Sequence, residues 1–129
     1  MDTMQVGERL VELCQEGKNR QAIEELYADD ATSYEATEGP TGRRMEGKEA
    51  LLKYSDEFFE MFEVHDATVD GPYPNDDKFV CFMSIDMTGT EKAGPMAGQR
   101  MEMKEAAVYT VRDGKIVHSE FYYPPMPGC

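Results

Sequence analysis

The chain has 129 residues, enough for one buried core and too few for two, so a single domain over residues 1–129 is expected. Thirteen Lys and Arg against twenty-six Asp and Glu give a formal charge of −13, which repels phosphate backbones and anionic headgroups and excludes nucleic acid and membrane surfaces as partners. Three widely spaced cysteines (Cys14, Cys81 and Cys129) fit neither a disulfide framework nor a Cys-x-x-Cys metal site. No stretch is long and apolar enough to cross a bilayer, and Met1 to Leu13 lack the basic start and apolar run of a secretory signal. The expectation is a cytoplasmic protein without metal or cofactor.

Val6, Leu10, Val11, Leu13 and Cys14 recur at helical spacing and Gly17 stops them; Asn19 opens a second, short helix with Ala22, Ile23 and Leu26 on its apolar side. Residues 31–36 read as a first strand, and residues 38–47 as a Gly-rich loop carrying Pro40 and the pair Arg43-Arg44. The third helix, with Leu51, Leu52, Ser55, Phe58, Phe59 and Phe62 on one broad face, is the longest and most apolar, and is expected to pack across a sheet.

After Val64 the chain reads as strand. Residues 64–70 run into the turn-rich 71–77 segment. Residues 79–88 alternate, with Phe79, Cys81, Met83, Ile85 and Met87 on one face. Residues 89–98 form a long hairpin loop, 99–112 another strand, Asp113-Gly114 a tight turn, and 115–123 a last strand ended by Pro124 and Pro125. Helix, helix, strand, helix and a four-strand meander make an α+β fold, because helices and strands are segregated rather than alternating.

This order resembles the nuclear-transport-factor-two-like superfamily. Tyr27-Ala28-Asp29-Asp30-Ala31-Thr32 is similar to the helix-to-strand junction of ketosteroid isomerases. Gly47-Lys48-Glu49-Ala50-Leu51 resembles the glycine-led start of the family's third helix, and Tyr109-Thr110-Val111-Arg112-Asp113-Gly114-Lys115-Ile116 its penultimate hairpin. The SnoaL-like branch, which holds polyketide cyclases, is the nearest group. The resemblance implies a curved mixed sheet that wraps the third helix as a cone around a pocket for a small hydrophobic ligand, and a homodimer through the convex sheet face. It puts Leu10, Ser55, Phe58, Phe62, Met83, Met87, Met103, Ala107, Ser119, Phe121 and Tyr123 on the pocket wall, together with Cys81, Ile85, Met101, Val111 and Val117, and Arg43 at its mouth.

By the same resemblance Glu35 falls where ketosteroid isomerases hold a proton-shuttling carboxylate, and a dry pocket raises such a group's pKa toward the useful range. The alternative is an exposed strand glutamate beside Glu38. The isomerase's oxyanion donors are missing, since Leu10 and Ala107 stand at those positions, so steroid isomerisation by that mechanism is not expected. Glu105, inward among apolar neighbours, needs a partner such as Tyr109 or a loop cation, or must be protonated; turned outward it would pair with a cation.

His118 is expected on the convex side with Glu120 and Tyr122, unless the register slips by one and turns all three inward; His65 reads as structural. Arg43 and Arg44 either clamp an anion or pair with Glu38 or Glu46. Two readings stay open. One is a cofactor-independent isomerase, cyclase or dehydratase acting on a small hydrophobic carbonyl compound, with Glu35 and Glu105 moving protons and Tyr109 donating a hydrogen bond. The other is a non-catalytic binding or dimerisation module.

Overall fold

The computed structural model describes residues 1–39 and 42–124, with the side chains of Glu38 and Gly39 left aside; Pro40, Pro125 and Cys129 of the expectations above lie outside it. Its elements are α1 (Thr3–Gln15), α2 (Asn19–Leu26), β1 (Tyr27–Gly39), β2 (Gly42–Glu46), α3 (Lys48–Met61), β3 (Phe62–Asn75), β4 (Lys78–Gly89), a 3-10 segment (Glu91–Met96), β5 (Arg100–Arg112) and β6 (Lys115–Tyr122). One six-stranded sheet has the order β2-β1-β6-β5-β4-β3 and remains unclosed. All neighbours are antiparallel except β1 and β6, which run parallel.

α1 starts where Asp2 and Gln5 form a capping box: the Gln5 amide donates to Asp2 Oδ1 at 2.8 Å and the Asp2 amide to Gln5 Oε1 at 2.9 Å. Its buried residues Val6, Leu10 and Leu13 make one stripe. This stripe packs on β3, and Gly7 lets the two backbones close: a Cβ there would lie 2.7 Å from Pro72 Cβ. The sheet therefore finds its main helical partner in α1. α3 packs across the sheet as expected, against β1 and β3, but buries only Leu51 and leaves Phe59 46% exposed.

Two strands differ from expectation. The presumed loop contains β2, which pairs with β1 through Ser33–Met45 and Tyr34–Arg44; a five-residue edge strand of mostly polar side chains carries little periodic signal. β3 continues past Gly71 and Pro72 because the ladder is interrupted after Asp70 and resumes at Tyr73–Val80. Prolines 72 and 74 are tolerated there because β3 is the sheet's outer edge. Irregularities of this kind interrupt β1, β3 and the β5–β6 ladder, and each bends its strand, curving the sheet toward the helices.

The concave side holds two apolar clusters. The larger joins α1, α2, β1, β4 and β5 around Phe79, whose ring stacks on Tyr109 with centroids 4.8 Å apart. The smaller, Phe62, Met87, Ala93 and Met101, closes the other end beneath the 3-10 segment. We expect Phe79→Ala to cost about 3–5 kcal/mol in urea unfolding, since the side chain is fully buried. Gly89→Ala is expected to cost about 2 kcal/mol or more, because its Cβ would meet the Met96 carbonyl oxygen at 2.0 Å and the backbone itself must move. A loss under about 0.5 kcal/mol for either variant would contradict this packing.

Candidate active site in the concave sheet

Strand alternation decides what enters the cone. On β1, Ala31, Ser33 and Glu35 are buried while Thr32, Tyr34 and Ala36 take the other face. On β5, Met101, Met103, Glu105, Ala107, Tyr109 and Val111 face inward, and the first five pair with inward Met87, Ile85, Met83, Cys81 and Phe79 of β4. On β6, Ser119 pairs with Tyr109 and Ser33, and Phe121 pairs with Ala107. The inward residue at the start of β6 is Ile116, fully buried, and not Val117. Val117 is the extra residue between the Val111–Ile116 and Thr110–His118 pairs, which regular alternation cannot anticipate.

Glu35 and Glu105 thus reach one interior space from strands far apart in sequence. Glu35 is 7% exposed, and Tyr123 Oη donates to its Oε2 at 3.0 Å. Thr37 Oγ1 lies 3.3 Å from the same phenol oxygen, so the three groups form a short chain. Burial raises the Glu35 pKa and the Tyr123 bond pulls it partly back. Glu105 is half-buried, and among the described residues no side chain bonds to it. Burial, reinforced by the Glu35 charge, pushes its pKa up to about 7. The Glu35 charge thus acts on Glu105, and among the described residues no cation bonds to either carboxyl.

The partner considered for Glu105, Tyr109, does not bond to it. Tyr109 is 2% exposed, stacked on Phe79 and edge-on to Phe121, 6.1 Å between centroids. A residue not anticipated at this site is Tyr54 of α3. Burial raises the pKa of its hydroxyl, and Glu35, Tyr123 and Glu105 raise it further, so its oxygen lies near all three. The residue is 37% exposed. Tyr54 stands three residues after Leu51 and four before Phe58, so helical spacing carried the signal.

The other predicted wall residues divide between the two clusters. Leu10 and Ala107 are buried in the larger, with Met83 and Phe121 packed against it; Phe62 and Met87 belong to the smaller, with Phe58 and Met103 against it. Ser55 is half-buried on α3. Ser119 is fully buried and its Oγ has no partner in bonding geometry, although the Tyr27 hydroxyl is near enough to feel it.

Arg43 does not join this group. Its guanidinium lies 4.7 Å over the Tyr34 ring and its Nε donates to the Glu35 carbonyl at 3.1 Å. Arg44 pairs with Glu46 at 3.1 Å; the Glu38 side chain lies outside the description. Both arginines border an outer cleft of ≈ 290 Å³ with Tyr34, His118, Glu120 and Tyr122. There His118 Nε2 donates to Glu120 Oε1 at 3.1 Å, which leaves Nδ1 to accept from the Thr32 hydroxyl at 2.6 Å, and Tyr122 donates to Glu120. His65 Nε2 lies 2.6 Å from Thr88 Oγ1. Among the described residues no group of three His, Cys, Asp or Glu side chains is arranged to hold a metal ion.

These features can be set beside known proteins. A family model described as a SnoaL-like domain matches residues 1–123. A candidate SnoaL-like polyketide cyclase from Mesorhizobium loti is 41% identical, covers 95% of this chain and 100% of its own, and superposes with a TM-score of 0.87. A candidate isomerase from Bacillus subtilis, 19% identical over 97% of this chain and 91% of its own, has a TM-score of 0.76. A nuclear-transport-factor-two-like protein from Anabaena variabilis, 15% identical over 96% and 90%, has a TM-score of 0.71. The last two share the fold alone. The comparison with curated proteins gives no match. With the family match running from the first helix through the last strand, this chain belongs to the SnoaL-like domain family.

Proposed function

We propose that the protein carries out cofactor-independent acid–base chemistry on a small hydrophobic carbonyl compound, an isomerisation, cyclisation or dehydration. The observation that supports it most is the inward carboxyl pair Glu35 and Glu105, with Glu105 lifted to about 7 and Glu35 held by Tyr123. In this reading the Glu35 carboxylate removes a proton from the carbon beside the carbonyl. The electron pair moves into the carbonyl, whose oxygen takes a hydrogen bond or the proton from neutral Glu105; Glu35 then returns its proton to another carbon or to a leaving hydroxyl, and as the carbonyl re-forms its oxygen hands any proton it took back to Glu105. Tyr54, whose hydroxyl feels both carboxyls, is the candidate second donor in this reading, because Tyr109 is held between two rings. The apolar walls receive the body of the substrate.

The chain's aromatic outer face favours a companion proposal, that two copies pair through the convex sheet. Tyr73 and Phe82 are each 51% exposed and Tyr122 55%, with the first two rings 6.0 Å apart. Such rings in contiguous array are worth covering. Light scattering is expected to give twice the chain mass, and Phe82→Glu to give the monomer. A wild-type monomer refutes the pairing.

Proton exchange tests the chemistry. In D₂O, NMR of an apolar ketone panel is expected to show enzyme-dependent exchange beside the carbonyl, reduced roughly 100-fold in Glu35→Gln and about tenfold in Tyr123→Phe. No acceleration for any ketone, or full activity in Glu35→Gln, removes the reading. Stability supplies a second check. The folded chain holds the Glu105 proton to about 7 while the unfolded chain releases it in the ordinary carboxylate range, so stability from this group is present at low pH and lost as pH rises to about 7. Glu105→Gln lacks that loss and is expected to exceed wild type at pH 8 by about 1–3 kcal/mol, the gap closing in acid.

A further inference from the structure

We propose that the interior site takes a ligand whose polar end is a cationic nitrogen bearing N–H donors, carried on an apolar or aromatic body. This rests on the reading that Glu35 and Glu105 form the working site, and it names the class of compound that site accepts.

The first ground is charge. Every Lys and Arg of the chain lies within the described residues, and none of the thirteen bonds either carboxyl. Arg9 is committed to Glu12 and Glu25, Arg20 to Glu24 and Asp56, and Arg100 to Asp86. Arg43 stays over Tyr34, and the two histidines bond to Thr88 and to Thr32 and Glu120 on other faces. A buried acid pair in a protein of charge −13 has nothing internal to balance it, so the missing cation must come from the ligand or from protons.

The second ground is independent of charge. Ser119 Oγ is fully buried on the same inward face, one pair of residues from Phe121, and makes no hydrogen bond of normal geometry, the Tyr27 hydroxyl lying near it but out of line. Native interiors seldom leave such an atom unpaired without a ligand or water to meet it. The free oxygen of Glu35 and both oxygens of Glu105 are acceptors, the Ser119 hydroxyl can accept or donate, and the Tyr123 donor is already spent on Glu35. An ammonium group supplies several donors at once; a carboxylate or phosphate adds acceptors and negative charge to a site that has both in excess. With such a ligand Glu105 gives up its proton to solvent and becomes the counter-ion, and an N–H of the bound cation takes over from neutral Glu105 as the donor to the carbonyl oxygen, while Glu35 keeps the proton transfer.

Three probes of one shape decide it: phenethylammonium, 2-phenylethanol and 3-phenylpropanoate, titrated calorimetrically into the full chain at about pH 8, where Glu105 is largely ionised. The cation is expected to bind roughly tenfold tighter than the alcohol, with the carboxylate weakest. Glu105→Gln is expected to shrink the gap between cation and alcohol to within about threefold, with circular dichroism verifying its fold. Equal binding of cation and alcohol, tightest binding of the carboxylate, no measurable binding of the cation, or an unchanged gap in folded Glu105→Gln overturns the proposal. If that variant fails to fold, the ranking in the unmodified chain decides alone. Ketone exchange that persists without cation preference defeats only this inference, while cation preference without exchange defeats only the catalytic reading.

Discussion

β6 lies between β5 and β1, antiparallel to one and parallel to the other, and both the fold and the site depend on that double pairing. It joins the N-terminal half of the chain to the β3–β6 meander, so that Glu35 of β1 can meet Glu105 of β5. Within it, one extra residue decides the chemistry of both faces. Were the ladder continuous from the Val111–Ile116 pair, Tyr109 would face His118, and His118, Glu120 and Tyr122 would enter the cone. Because Val117 is bulged out, Ser119, Phe121 and Tyr123 point inward, and the histidine cluster lies outside.

The interior that results sets a stable frame around an unsettled centre. Two apolar clusters, one around stacked Phe79 and Tyr109 and one around Met87, supply burial at either end. Between them lie two carboxyls, an unpaired serine hydroxyl and several phenols, and no cation. Each carboxyl is strained electrostatically relative to water, which is seen in the raised pKa of both. The surface pairs elsewhere, such as Lys53–Glu57 and Lys104–Glu102, are exposed and contribute little. An arrangement that lowers stability at one interior point while the rest is well packed is what functional sites present.

The two faces of the sheet have divided the polar side chains by role. Outside, His118 is fixed from both ring nitrogens, and Arg43 is held by a ring and a carbonyl, so each has its bonds made. Inside, Glu105 and Ser119 have theirs unmade.

The three helices, the alternation of β4 and β5 and the Asp113-Gly114 turn were legible in the sequence, because each follows from a local period or a short-range backbone preference, while which face of those strands turns inward, Glu105 with it, came from the family resemblance. Tyr54 was legible by the same rule, three positions after Leu51. Tertiary structure alone decided three things. The parallel β1–β6 pairing brings Tyr123 within 3.0 Å of Glu35 across 88 positions. The Val117 bulge chose which face of β6 looks inward. β2 took Arg43 and Arg44 away from the interior and onto the outer face. Each is a choice of partner between distant segments, and a local pattern contains the preferences of a segment but not the identity of the segment it will meet.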